Sequence, residues 1–215
     1  VLVEPPFDYK SIKTVGVMDF TCNECRYIHP DLKSNISGID IGPYVSSQII
    51  MQLKEKSKYR MVQVNRSVVP QVVVENYYNA QPGALRQIRE ATGADALIYG
   101  SVISCRISVI KDKTTGKEGN KNVKKTRFRE LATVSISLKF VRASDNTILY
   151  IREGTGNHDS EWKTSKSELS QIDDTRCLQL AANAALKNAK LQCLYPHYEE
   201  EFVSKDKNPA PVKCQ

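Results

Sequence analysis

The stretch ATVSISLKFVRASDNTILYIREGTG, residues 132–156, decides the fold. Val134, Ile136, Leu138 and Phe140 alternate with Thr133, Ser135, Ser137 and Lys139, the two-residue period of a strand with one face buried and one in water. Ser144-Asp145-Asn146 supplies turn chemistry, and Thr147 to Arg152 returns as a second strand. The segment therefore reads as a β-hairpin.

Working outward, Ala94 to Val109 (ADALIYGSVISCRISV) predicts a long strand, with Gly100 a bulge or a point of close approach. Ile12 to Phe20 (IKTVGVMDF) is a short apolar run ending in Asp19-Phe20, as a buried first strand would be. Asp40 precedes Ile41-Gly42-Pro43 as an N-cap with proline in the first turn, and Ile41, Val45, Ile49 and Leu53 recur at i+4. The resulting helix ends in the cluster Lys54 to Lys58, where cations are favoured by the helix dipole. Tyr59 to Val64 alternates like a second strand. Pro70 to Tyr78 is ambiguous, because Val72-Val73-Val74 favours strand while its position favours a short helix. Gln81-Pro82-Gly83 starts a helix, Ala84 to Ala91, closed by Thr92-Gly93. Asp173-Asp174 opens an alanine-rich helix through Leu194, whose Ala181, Ala184 and Ala185 permit close packing on a sheet. The fold class that follows is α/β (α+β): a single mixed β-sheet with helices packed on it. The domain spans 12–194, after an extended lead-in at 1–11 and before a peripheral tail at 195–215.

Composition agrees with one globular domain. The chain has 215 residues, 40% hydrophobic and 26% charged, which excludes a disordered or fibrous chain. No run approaches the eighteen apolar residues of a membrane helix, and Val1 to Lys10 lacks the charged start and apolar centre of a signal peptide. The net charge of +7 is local. Residues 111–129 hold eight basic residues (Lys111, Lys113, Lys117, Lys121, Lys124, Lys125, Arg127 and Arg129) against two acidic ones. Such a loop could grip a polyanion through counterion release, yet stacking aromatics are missing from it except for Phe128, so nucleic acid is not the expected partner. A solvated hairpin tip, or contact with acidic surfaces, are the other readings.

Six cysteines permit an oxidising compartment. Cys22-Asn-Glu-Cys25 with His29 has the spacing of three metal ligands, but a structural zinc site wants four and no second pair follows. A local Cys22–Cys25 disulfide, or two ordinary thiols, is the expectation. Cys177 and Cys193 on one continuous helix would sit roughly 24 Å apart, beyond disulfide reach. Cys193 with Cys214 is the more plausible bridge among fifteen formal connectivities. Asp19, Glu75 and Asp95 lie near element ends, but no nucleophile, base and orienter form a set, and Ser46, Ser47 and Ser101 lack the strained elbow of a catalytic serine. No enzymatic activity, cofactor or metal is expected.

VGVMDF, IGPYVSSQIIMQLKEKSKYRMVQVNRS, LRQIREATGADALIYGSVIS and the hairpin quoted first resemble the CsgG-like and LpoB-like envelope lipoproteins of bacteria, across about residues 12–156. Asn65-Arg66-Ser67 and Thr92-Gly93-Ala94-Asp95 running into Gly100-Ser101 are the most specific stretches. The resemblance implies a CsgG/TolB-N-terminal-like domain in the periplasm, associated with the outer membrane through an N-terminal lipid anchor that precedes the sequence given. It implies homo-oligomers and other envelope proteins as partners. Channel-forming relatives carry two membrane-spanning hairpins. Here those positions hold KDKTTGKEGNKNVKKTRFR and GNHDSEWKTSKSELSQI, and each lysine placed against lipid would cost roughly 2–4 kcal/mol. A scaffold or activator is therefore expected rather than a pore, with a polyanion-binding module as the alternative.

Overall fold

A computed structural model describes residues 11–22, 25–28, 41–65, 67–78, 83–118 and 121–194. The parallel part of the sheet is built on β1 (Thr14–Met18), which lies between β4 (Arg60–Val64) and the start of β5 (Ala96–Glu118). Val15, Val17 and Met18 are fully buried, as a strand covered on both faces requires. Beyond β1 the chain continues along the same edge of β5 in two short parallel pieces, β2 (Thr21–Cys22) and β3 (Cys25–Ile28). On its other edge β5 pairs antiparallel with β6 (Lys121–Arg142), and β6 with β7 (Ile148–Asp159), giving the order β4-β1-β5-β6-β7. This is the mixed sheet with helices that the hairpin and its flanks predict.

Each helix follows from its sequence. In α1 (Gly42–Lys56), Val45, Ile49 and Leu53 continue from the N-cap Ile41 as one fully buried stripe. Burial stabilises each of these side chains by about 1.5–3 kcal/mol. Asp40, the expected cap, lies outside the described residues. Segment 71–78 resolves as a helix, α2 (Gln71–Tyr78), so tertiary context overrides the strand preference of three valines. Next comes α3 (Ala84–Thr92), which stops at Gly93 in the left-handed conformation, φ 64°. The last helix, α4 (Asp174–Asn188), opens with the Asp173 side chain accepting from the Arg176 amide. It ends earlier than expected. Lys190 has φ 53° and a short 3₁₀ turn, Leu191–Leu194, follows, so Cys177 and Cys193 are not on one continuous helix.

Helices α1 and α4 pack with the inward side chains of β5, β6 and β7 into one core, whereas α2 and α3 cover the opposite face around Met18, Val64, Leu97 and Val141. Contact between α4 and β7 is at backbone range. A Cβ built on Gly154 would come 2.1 Å from the Ala185 carbonyl oxygen, and one on Gly156 would come 2.1 Å from that of Ala181. The Tyr150 hydroxyl lies 2.8 Å and 3.0 Å from the Ala189 and Lys190 carbonyls and satisfies the end of the helix. Burial pushes that phenol up to about 12.

Within the segment 111–129, residues 111–118 and 121–129 are strand rather than the expected loop. Strands β5 and β6 continue through it in unbroken register from Ser108↔Leu131 to Glu118↔Lys121, forming a two-stranded ribbon beyond the body of the sheet. Likewise β7 runs on to Asp159, so the first four residues of the second connector are strand.

Candidate interaction surface

The pleat of the ribbon sorts its charges. Cys105 and Ile107 face the α1/α4 core, so Lys111, Lys113 and Thr115 continue that face, with cross-strand partners Phe128, Thr126 and Lys124. On the other face the pairs are Ile110 with Arg129, Asp112 with Arg127, and Thr114 with Lys125. Asp112 is consumed there, because the Arg127 guanidinium approaches Asp112 Oδ2 at 2.9 Å through Nε and 2.8 Å through its terminal nitrogen. Arg129 meets Asp159 at 3.2 Å. Both guanidinium groups also lie over the Trp162 ring, at 4.3 Å and 4.6 Å from its centroid. Phe128 and Lys163 exchange backbone hydrogen bonds of 2.8 Å and 2.7 Å, which holds that tryptophan segment against β6. Arg127 and Arg129 therefore clamp the base of the ribbon, while Lys111, Lys113 and Lys124 remain on a face whose nearest described carboxylate, Glu130 opposite Val109, is buried. Lys117 and Lys121 occupy the outer ladder, in register with Asn122 and Glu118.

At the base of the ribbon, Glu130 is buried at 1% exposure and shares a hydrogen bond with Asp174. Burial raises the Asp174 carboxyl above its ordinary range, and Asp173 adds to the effect. The Cys177 thiol is raised by burial and then by these carboxylates. The buried Glu130 and the half-buried Asp174 join β6 to the start of α4 at the base of the ribbon.

The second surface is the half of the sheet that α2 and α3 leave uncovered. Tyr77, Tyr78 and Tyr99 form an edge-to-face cluster there with centroids 5.2–6.2 Å apart. The Tyr78 hydroxyl donates to the Asp19 carbonyl, and Tyr77 to Asn146 Oδ1. Burial keeps both phenols protonated, Tyr78 being pushed up to about 12 with the Asp19 charge as the second cause. Lys139 approaches the Tyr99 ring at 5.8 Å. Val72 (59% exposed) and Ile103 (55%) stand out in water, the latter at a bulge where Val102 and Ser104 shift register against β6. The adjacent Tyr77-Tyr78 is the sequence signal for this patch. The bulge at Ile103 has none.

The remaining predicted residues have structural work or lie elsewhere. Ser46 is fully buried and accepts the Phe20 amide at 2.9 Å, tying the end of β1 to α1. The Asp95 carboxylate accepts from the Lys13 and Thr14 amides at 2.9 Å each. Glu75 accepts from Gln71 one turn back. Cys22 carries a thiol, the second of the two alternatives expected for it, rather than a local bridge to Cys25. The cause is register: Cys22 lies opposite Val102 and Cys25 opposite Cys105, so the parallel ladder stretches the two cysteines along β5. His29 and Cys214 lie outside the described residues.

No helix among the described residues is long and apolar enough to cross a membrane. A search of curated protein sequences found no match. Among solved structures, the chain is similar to a hypothetical protein from Chlamydia trachomatis at 10% identity and TM-score 0.47, covering 85% of this chain and 96% of that one. It is similar to the PelC dodecamer from Paraburkholderia phytofirmans at 10% identity and TM-score 0.40, covering 85% and 89%. The C-terminal domain of LpoB from Salmonella enterica matches at 12% identity and TM-score 0.32, covering 67% and 83%. The family model of the curli production assembly/transport component CsgG matches residues 7–196, so with its sheet, crossover helices and hairpins accounted for, the chain belongs to the CsgG family.

Proposed function

We propose that the protein is a non-enzymatic component of a bacterial envelope assembly, periplasmic and associated with the outer membrane, that acts as a scaffold or activator by touching other proteins, including copies of itself. The observation that carries this reading is the family match over residues 7–196, whose description is a component of assembly and transport. The half-covered sheet supports it: a tyrosine cluster beside Val72 and Ile103 has the aromatic, amphipathic make-up of contact surfaces.

Covalent pinning fits an oxidising compartment. We propose Cys105 and Cys193 as half-cystines, Cys105 lying in register with Cys25 on the neighbouring strand. Cys214 is the proposed partner of Cys193. Mass in solution tests the functional reading. Light scattering on the purified chain should give a discrete oligomer that Ile103→Glu with Tyr78→Glu shifts toward monomer. A strict monomer at high concentration would contradict self-association.

A further inference from the structure

We propose that the lysine face of the β5/β6 ribbon is a docking surface for anionic lipid headgroups. On this face Lys111, Lys113 and Lys124 are exposed, and the cross-strand partners of Lys113 and Lys124 are threonines, Thr126 and Thr115. The ribbon's nearby carboxylates, Asp112 and Asp159, lie with Arg127 and Arg129. These two carboxylates thus lie on the other side of the ribbon, paired with arginine, while Glu130 at the base of the lysine side is buried, so the outer stretch of that side presents a positive plane.

The shape selects the kind of anion. Cations two residues apart on a strand stand roughly 6.6–6.8 Å from each other, and cross-strand neighbours about 5 Å. Charges therefore spread in two dimensions over a flat, hydrogen-bonded support, as headgroup phosphates do at a bilayer surface. A single nucleic-acid strand is instead held by a groove with aromatic platforms on which bases stack. The aromatic residue on this face, Phe128, is 9% exposed and has Lys111 over its ring at 5.9 Å, so it offers no such platform. Lysine is a compact point charge on a flexible stem, suited to headgroups that diffuse, whereas the two arginines are spent in fixed stacking contacts at the base.

This contact is additional to the contact-based role proposed above. Loss of lipid binding with the oligomer intact would remove the docking surface alone. Flotation of the full chain with vesicles of phosphatidylcholine, with and without phosphatidylglycerol, tests it at low and physiological salt. Binding is expected only to the anionic vesicles and should weaken as salt rises. Lys111→Gln with Lys113→Gln and Lys124→Gln should weaken it by roughly 100-fold at low salt, at about fivefold per lysine near an anionic surface. Lys54→Gln with Lys56→Gln and Lys58→Gln makes the same charge change at the end of α1 and should leave binding within about threefold of the wild type. Circular dichroism checks that both variants fold. Equal loss in both triple variants, no binding to anionic vesicles, or tighter binding of a single-stranded oligonucleotide through the same three lysines would each overturn the proposal.

Discussion

Replacing Gly156 by alanine should destabilise the protein by about 3 kcal/mol or leave it unable to fold, because overpacking costs roughly 1–3 kcal/mol and more where backbone must yield. A Cβ at this position meets the Ala181 carbonyl oxygen at 2.1 Å, the Ala185 amide nitrogen at 2.3 Å and the Ala184 carbonyl carbon at 2.7 Å. All three are backbone atoms of α4, so no side chain can rotate out of the way. Relief requires lifting the helix from β7. That movement would pull Leu178, Ala182, Ala185 and Leu186 from a core in which each is fully buried. Asn157→Ala, one residue along the same strand but exposed, is the control and should stay within about 0.5 kcal/mol. Urea denaturation followed by circular dichroism measures both. An unchanged midpoint for Gly156→Ala would mean that α4 does not touch the strand backbone.

Asp95→Ala should cost about 2 kcal/mol, since hydrogen bonds to a charged acceptor are worth roughly 1.5–3 kcal/mol. The carboxylate holds the Lys13 and Thr14 amides at the point where β1 enters the sheet. The backbone of the same residue accepts from Ala143 and donates to Thr14, so Asp95 joins the start of β1, the start of β5 and the turn after β6. Asp95→Asn keeps an acceptor oxygen and should recover part of the loss. A urea midpoint for Asp95→Ala equal to that of the wild type would show that water replaces the carboxylate without penalty.

These two residues also show how far the sequence could be read. Ala181 and Ala185 lie in a segment already placed as a small-residue helix, whereas Gly154 and Gly156 fall beyond the predicted strand Thr147 to Arg152, which runs on to Asp159 and brings them against that helix. Asp95 stood out in the resemblance as part of a specific stretch, and its two amide partners supply the physical reason. The ribbon was illegible for an opposite cause. Lys111 to Arg129 has no apolar alternation, because neither of its faces packs on a core, and lysine, glycine and asparagine are poor strand formers. What holds it is the backbone ladder, the Asp112–Arg127 pair and the clamp by Trp162, which lies over thirty residues from its partners in sequence and so leaves no local pattern. The end of α4 was misjudged because Lys190 adopts a left-handed conformation that nothing in its side chain announces. The Cys22 and Cys25 spacing leaves a bridge or two thiols open, and the parallel register along β5, which sets the two residues three positions apart on the ladder, decides against the bridge.

The exposed lysine face exists only if residues 109–118 and 121–129 form an ordered arm rather than a solvated connector, because alternate side chains are sent to opposite faces only by the ladder. Amide hydrogen exchange measures this directly. Ladder amides from Val109 to Thr115 and from Lys124 to Arg129 are predicted to exchange much more slowly than an unstructured chain, with protection falling toward the tip. Exchange at random-coil rates throughout both stretches would contradict the arm, and with it the face that is proposed to meet the membrane.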